Sequence, residues 1–197
     1  MGPKHYFLRH GETDWNAEAR LQGQKDIPLN DLGRRQARRN GEVLARLFEE
    51  TGAGETDFLW LCSPLSRCRE TMEIAREAIG LPTDGYRIEP RLIEISYGAW
   101  EGSTTKEIKQ RDRPSIVARR ENKWAFTPPG GESYQQLSRR IADWYATLAE
   151  DAVIVSHGGV SRVLRGILGE VDDLDVPMLE VPQDRVLEID ADGYRWR

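Results

Sequence analysis

The sequence predicts a three-layer α/β/α domain with a mostly parallel sheet and a C-terminal hairpin. Three observations predict it. Short apolar runs of strand length, near residues 4–8, 57–62 and 152–156, alternate with longer segments whose apolar residues recur at helical spacing. Parallel strands need such helical crossovers, which cover both faces of a sheet. The last two runs, 185–190 and 194–197, are joined only by Ala191-Asp192-Gly193, a hairpin connection that adds antiparallel pairing at a sheet edge.

Taken in order, residues 4–8 form a short strand running into Arg9-His10-Gly11, so a histidine beside an arginine stands where a buried strand ends and a glycine frees the backbone. Residues 21–28, punctuated by Gly23 and Pro28, form a loop over that point. Asn30 is the N-cap of an amphipathic helix carrying Ala37, Gly41, Leu44, Leu47 and Phe48 on one face, and Thr51-Gly52-Ala53-Gly54 ends it. The run 57–62 is a buried strand. Ser63-Pro64 is expected to start the next helix, with serine as N-cap and proline at the first helical position. Leu65, Cys68, Met72, Ala75 and Ile79 make its core stripe, Arg67 falls in its first turn, and residues 86–89 follow as a short strand.

Glu94 comes next, flanked by Ile93 and Ile95 and followed by a glycine-rich loop, 97–102. Residues 103–123 are polar helix-forming sequence broken at Pro114, and 124–131 read as a loop exposing Trp124 and Phe126. Glu132-Ser133 opens a helix whose Tyr134, Leu137, Ile141, Trp144 and Leu148 face the core. The strand 152–156 stops at His157-Gly158-Gly159 and leads into a helix carrying Val160, Val163, Leu164, Ile167 and Leu168. Two strands thus each end in His-Gly, at the kind of strand end where open α/β sheets keep their sites. His5, the third histidine, lacks the glycine and reads as a packing or surface residue.

At 197 residues, 1–197 reads as one domain able to bury its core without disulfides or metals. No apolar run has the length of a signal or a membrane span, so a soluble cytoplasmic protein without membrane partners is expected. A net charge of −5 argues against a nonspecific nucleic-acid binder. Arg34, Arg35, Arg38 and Arg39 read as a solvated helical face, whereas Arg111, Arg113, Arg119 and Arg120 lie where a lid can form. Cys62 and Cys68 read as small buried fillers of a reduced protein. No His-Glu-x-x-His or Cys/His cluster is present, and arginines beside the histidines would repel a dication, so neither metal nor other cofactor is expected. Nothing in the sequence indicates an oligomeric state.

Four motifs occur in order: Arg9-His10-Gly11-Glu12-Thr13 with Asn16, Ser63-Pro64-Leu65-Ser66-Arg67, Glu94 before Gly98-Ala99-Trp100-Glu101-Gly102, and Ser156-His157-Gly158-Gly159. Together they resemble the histidine phosphatase, or phosphoglycerate mutase-like, superfamily from about residue 4 to residue 168. The resemblance implies the same α/β/α architecture, a helical insertion over the site between Glu94 and His157, and His10 as nucleophile with Glu94 as proton donor. Arg9, Asn16, Arg67 and His157 would form the phosphate pocket. Gln22-Gly23 matches a loop that touches substrate in that family, and Gly158 adjoins the pocket.

These residue types suit cleavage of a phosphomonoester, which needs an in-line nucleophile, positive groups around the equatorial oxygens and a proton for the leaving group. A neutral His10 has an unshared pair that can attack phosphorus. Arg9, Arg67 and a charged or donating His157 would balance the phosphate, and Asn16 can donate an amide N–H. The substrate expected is a small phosphorylated metabolite. Competing readings are a mutase that returns the phosphoryl group to a bound sugar acid, and a non-catalytic domain that keeps the pocket.

Overall fold

The computed structural model describes residues 2–169 and 171–197. Its strands are β1 (His5–Arg9), β2 (Leu59–Cys62), β3 (Arg87–Ile88), β4 (Ala152–Ser156), β5 (Val186–Asp190) and β6 (Gly193–Trp196). Its α-helices are α1 (Asp14–Ala17), α2 (Asp31–Thr51), α3 (Ser66–Ala78), α4 (Thr105–Arg111), α5 (Arg113–Glu121), α6 (Tyr134–Tyr145) and α7 (Gly158–Leu168). They build one six-stranded sheet in the order β3-β2-β4-β1-β5-β6. The first four strands are mutually parallel, whereas β5 pairs antiparallel with β1 and with β6, its hairpin partner at the edge.

The strand side chains alternate between two apolar layers, as a period of two residues requires. Phe7, Leu61, Ile154 and Leu187 join Leu137, Ile141, Val163 and Leu164 from α6 and α7 on one face. Tyr6, Leu8, Trp60, Val153 and Val155 join Leu44, Leu47, Cys68 and Met72 from α2 and α3 on the other. A smaller cluster of Trp100, Ile108 and Ile116 lies under α4 and α5, so the insertion after Glu94 is held by its own few buried side chains.

Caps set most helix ends. The Asn30 side chain accepts from Gly33 N at the start of α2, which stops at a left-handed Gly52 (φ 67°). Ser133 forms a capping box with Gln136 at the start of α6. Pro114 lies in the first turn of α5, and the Asp112 side chain caps it, so the proline begins a second helix rather than merely ending the first.

Two expectations fail. The helix after β2 starts at Ser66, with Leu65 as an N-cap lacking a side-chain bond, because Ser63 is committed elsewhere: its N–H donates to Val155 O and its hydroxyl pairs with His157. Trp124 is buried rather than exposed, since its loop folds back onto the α6–α7 layer and Gln135 N donates to Trp124 O. Phe126, half-buried, stacks on Trp100 with ring centroids 5.3 Å apart. His5 proves to be a packing residue, buried with its ring nitrogens 2.8 Å from the Tyr145 hydroxyl and 3.2 Å from Glu150 O.

Candidate active site

Parallel pairing puts Arg9 of β1 opposite Ser156 of β4, so the residues that follow, His10 and His157, leave the sheet side by side. The ladder extends one step, with His10 N donating to Ser156 O at 2.9 Å, and the two imidazoles stand edge to face with centroids 5.2 Å apart. Gly11 is required here because a Cβ at that position would lie 2.2 Å from Gly33 O, where the start of α2 packs on the loop. An alanine would push this helix away from His10.

The hydrogen bonds of His10 fix its tautomer. Its Nδ1 is 2.7 Å from Gly11 O, and a carbonyl only accepts, so Nδ1 carries the proton. Nε2 therefore keeps its lone pair, and Arg67 Nε donates to it at 3.3 Å. Burial, followed by the charges of Arg67 and Arg9, holds the His10 pKa well below the usual histidine value.

Arg67 is completely buried, and its guanidinium also donates to Lys25 O and Gly23 O at 2.8 Å each. It is no surface partner for Glu70, which pairs with Arg34 instead. Those two carbonyls tie the 21–28 loop to α3. Arg9 is half-buried: one guanidinium nitrogen donates to Val181 O at 2.6 Å, and its Nε is a buried donor without a partner among the described residues. Asn16 Oδ1 accepts from Thr13 N and Oγ1 and from Gln183 Nε2, which orients the amide and leaves its N–H₂ for a ligand.

Glu94 reaches the same place from the loop after β3. Its carboxylate accepts from Gly159 N at 3.1 and 3.2 Å and from Ile95 N at 2.9 Å. Gly159 is needed for this approach, because a Cβ there would lie 2.3 Å from Glu94 Oε1. The segment is fastened from behind by Arg140, which donates to Arg91 O and Ile93 O and pairs with Glu132.

A cavity of about 110 Å³ is lined by Arg9, His10, Asn16, Gln22, Gly23, Arg67, Glu94 and Gly158, joined by Arg20, Leu21, Tyr97 and Arg162. His157 is fully buried behind His10 and does not line it. Its Nε2 is 2.7 Å from Ser63 Oγ, and Cys68 Sγ lies 3.4 Å from the same nitrogen. Burial, then Arg67, His10 and Arg9, lower its pKa strongly, so it is a neutral hydrogen-bonding group rather than a cation. The Cys68 thiol is pushed up to about 12, chiefly by burial, and is un-ionised.

Sequence reasoning missed Ser63, Cys68, Arg162 and Gln183. Gln183 Nε2 bridges His10 O (3.1 Å) and Asn16 Oδ1 (3.2 Å) from a segment with no periodic pattern. Arg162 had a usable signal: a helix that begins at Gly158 brings the residue four positions on over the same face.

The buried histidines have a consequence for stability. His5, His10 and His157 all have lowered pKa values, so the unfolded chain binds more protons than the folded one below its own value of about 6.5. The stabilisation is complete above that pH and is lost as pH falls from there through the folded values, at up to ~1.4 kcal/mol per pH unit for each histidine. Denaturant midpoints measured between pH 7.5 and 5.5 should fall on acidification. The His10→Asn variant should lose one histidine's share of the slope, and an unchanged slope would show that His10 does not titrate this way.

The fold thus gathers a neutral strand-end histidine with an unprotonated ring nitrogen, the guanidiniums of Arg9, Arg67 and Arg162, and a carboxylate around one small cavity. The family model of the histidine phosphatase superfamily (branch 1) matches residues 5–197, and the chain belongs to that superfamily. It is 34% identical over 175 residues to the glucosyl-3-phosphoglycerate phosphatase of Mycolicibacterium vanbaalenii, covering 82% of this chain and 72% of that one. Over 162 residues it is 35% identical to a Salmonella paratyphi C protein named "Probable phosphoglycerate mutase GpmB", with 78% and 68% coverage. Among solved structures, the alpha-ribazole phosphatase from Shigella flexneri superposes with a TM-score of 0.80 at 27% identity, covering 98% of this chain and 94% of that one.

Proposed function

We propose that this chain is a phosphomonoesterase that hydrolyses a small phosphorylated metabolite in the cytoplasm through a phosphohistidine at His10. The observation that carries the reading is the hydrogen bond from His10 Nδ1 to Gly11 O, which leaves Nε2 unprotonated at the cavity beside Arg67. In the first step Nε2 attacks phosphorus as the P–O ester bond breaks, and the leaving oxygen takes a proton from Glu94. In the second step Glu94 takes a proton from water, whose oxygen attacks phosphorus as the N–P bond breaks. Inorganic phosphate leaves, and His10 and Glu94 return to their starting states. Arg9, Arg67 and the Asn16 amide hold the equatorial oxygens, and His157 steadies the pocket wall behind His10.

Hydrolysis is favoured over mutase transfer by the residues after Glu94. Ile95 is buried in the core and Ser96 Oγ donates to Glu101, so that segment offers no cation to retain a sugar acid while it reorients. Incubation with 3-phosphoglycerate and catalytic 2,3-bisphosphoglycerate should release free phosphate much faster than it forms 2-phosphoglycerate. The opposite ratio would replace this reading with the mutase one. A chain that turns over no ester in a phosphomonoester panel, p-nitrophenyl phosphate included, would be a non-catalytic binding domain.

A further inference from the structure

The cavity at His10 is lined by more positive charge than one phosphate needs. Arg162 adds a third guanidinium to those of Arg9 and Arg67. The point where a Gly158 Cβ would lie is 3.3 Å from Nη1 of Arg162 and 3.4 Å from Nε of Arg9, so these two side chains converge at the start of α7. Arg20 also lines the cavity, but Glu18 and Glu107 pair with it. Arg9, Arg67 and Arg162 have no carboxylate within ion-pair distance among the described residues. Arg162 Nε is anchored on Leu179 O at 2.8 Å, which fixes the stem of a half-buried side chain.

Two more cations, Arg119 and Lys123, line a neighbouring surface cavity. Burial, then the charges of Arg119 and Arg162, push the Lys123 ammonium down to about 8. Lys123 donates to Pro177 O and lies 5.9 Å from the Tyr134 ring centre, with no carboxylate partner among the described residues. The acidic groups nearby offset this charge only in part. Glu94 lines the same cavity and acts on Arg9 and Arg162 through space without an ion pair to either, and Glu121 shares a separate surface cavity with Arg119 and Lys123. Clustered cations repel one another in a partly dry site unless enough anionic charge is supplied, and at this cavity one carboxylate faces the three guanidiniums of Arg9, Arg67 and Arg162.

Building on the phosphatase reading, we propose that Arg162, backed by Lys123 and Arg119, is a specificity-determining residue that binds a second acidic group, carboxylate or phosphate, on the substrate's leaving-group side. The phosphoryl group occupies Arg9, Arg67 and Asn16, and the second acid sits beyond Gly158.

The test compares kcat/KM for glycerol 1-phosphate, 3-phosphoglycerate and glycerol 1,3-bisphosphate, with phosphate release as the readout. The wild-type chain should prefer at least one of the two doubly acidic esters over glycerol 1-phosphate by at least about tenfold, the scale of one charge-assisted contact. Whichever is preferred identifies the second group as carboxylate or phosphate. Arg162→Gln should erase most of that preference, and Arg162→Lys should restore part of it. Lys123→Met should reduce it less than Arg162→Gln does. Equal proportional losses on all three esters, or no wild-type preference, would overturn the proposal while leaving phosphatase activity intact. Absence of turnover on every ester would overturn the phosphatase reading itself.

Discussion

Replacing His10 by alanine should abolish the covalent phosphoenzyme and lower kcat by on the order of 10⁴- to 10⁶-fold, the range seen when a nucleophile that works as part of a unit is removed. The loss is large because no other group at the cavity can substitute. His157 is buried behind His10 with a ring nitrogen engaged by Ser63, and Cys68 is an un-ionised thiol. Binding should survive, since Arg67 loses only its Nε bond to the imidazole and Arg9, Arg67 and Asn16 keep their other anchors. Inorganic phosphate should therefore still protect the variant against thermal unfolding. Phosphoenzyme trapped in the alanine variant would remove His10 from the mechanism.

Glu94→Gln should produce the second largest effect, and one that depends on the leaving group. For an alkyl phosphate, whose alkoxide needs a proton, kcat/KM should fall about 10²- to 10⁴-fold. For p-nitrophenyl phosphate, whose phenolate leaves without one, kcat/KM should change far less. The hydrolytic half of the cycle is common to both esters and also needs Glu94, so kcat should fall for both, and phosphoenzyme should accumulate with p-nitrophenyl phosphate. Gly159→Ala should show the same pattern in weaker form, because the added methyl displaces the Glu94 carboxylate that Gly159 N otherwise holds. An equal loss of kcat/KM for both esters would mean that Glu94 acts by position or charge rather than by proton transfer.

The parts of the fold that depend on local periodicity were legible in the sequence. Strand runs ending in His-Gly, the apolar stripes of α2, α3, α6 and α7, and the closing hairpin all follow from patterns within about twenty residues. What failed depended on contacts distant in sequence. Ser63-Pro64 has the local signature of a helix start, yet a hydrogen bond to His157, 94 positions away, claims the serine hydroxyl. Trp124 reads as exposed from its proline- and glycine-rich neighbours, yet the other wall of its burial comes from a different layer. Gln183 carries no local signal because its two partners, His10 and Asn16, lie at the opposite end of the chain. Arg67 shows the converse: its place in the first helical turn was readable, but its complete burial depends on carbonyls of the 21–28 loop.

Attack of a neutral His10 on phosphorus through Nε2 is checked by rapid-quench trapping followed by mapping of the phosphorylated residue and its isomer. Alkaline quench preserves phosphohistidine, and peptide mass spectrometry with phosphorus NMR distinguishes substitution at Nε2 from substitution at Nδ1. The geometry predicts phosphate on Nε2 of His10, because Nδ1 is occupied by its proton and by Gly11 O. Phosphate on Nδ1, on His157 or on any other side chain would contradict the account, as would steady turnover with no trapped phosphoenzyme at any quench time.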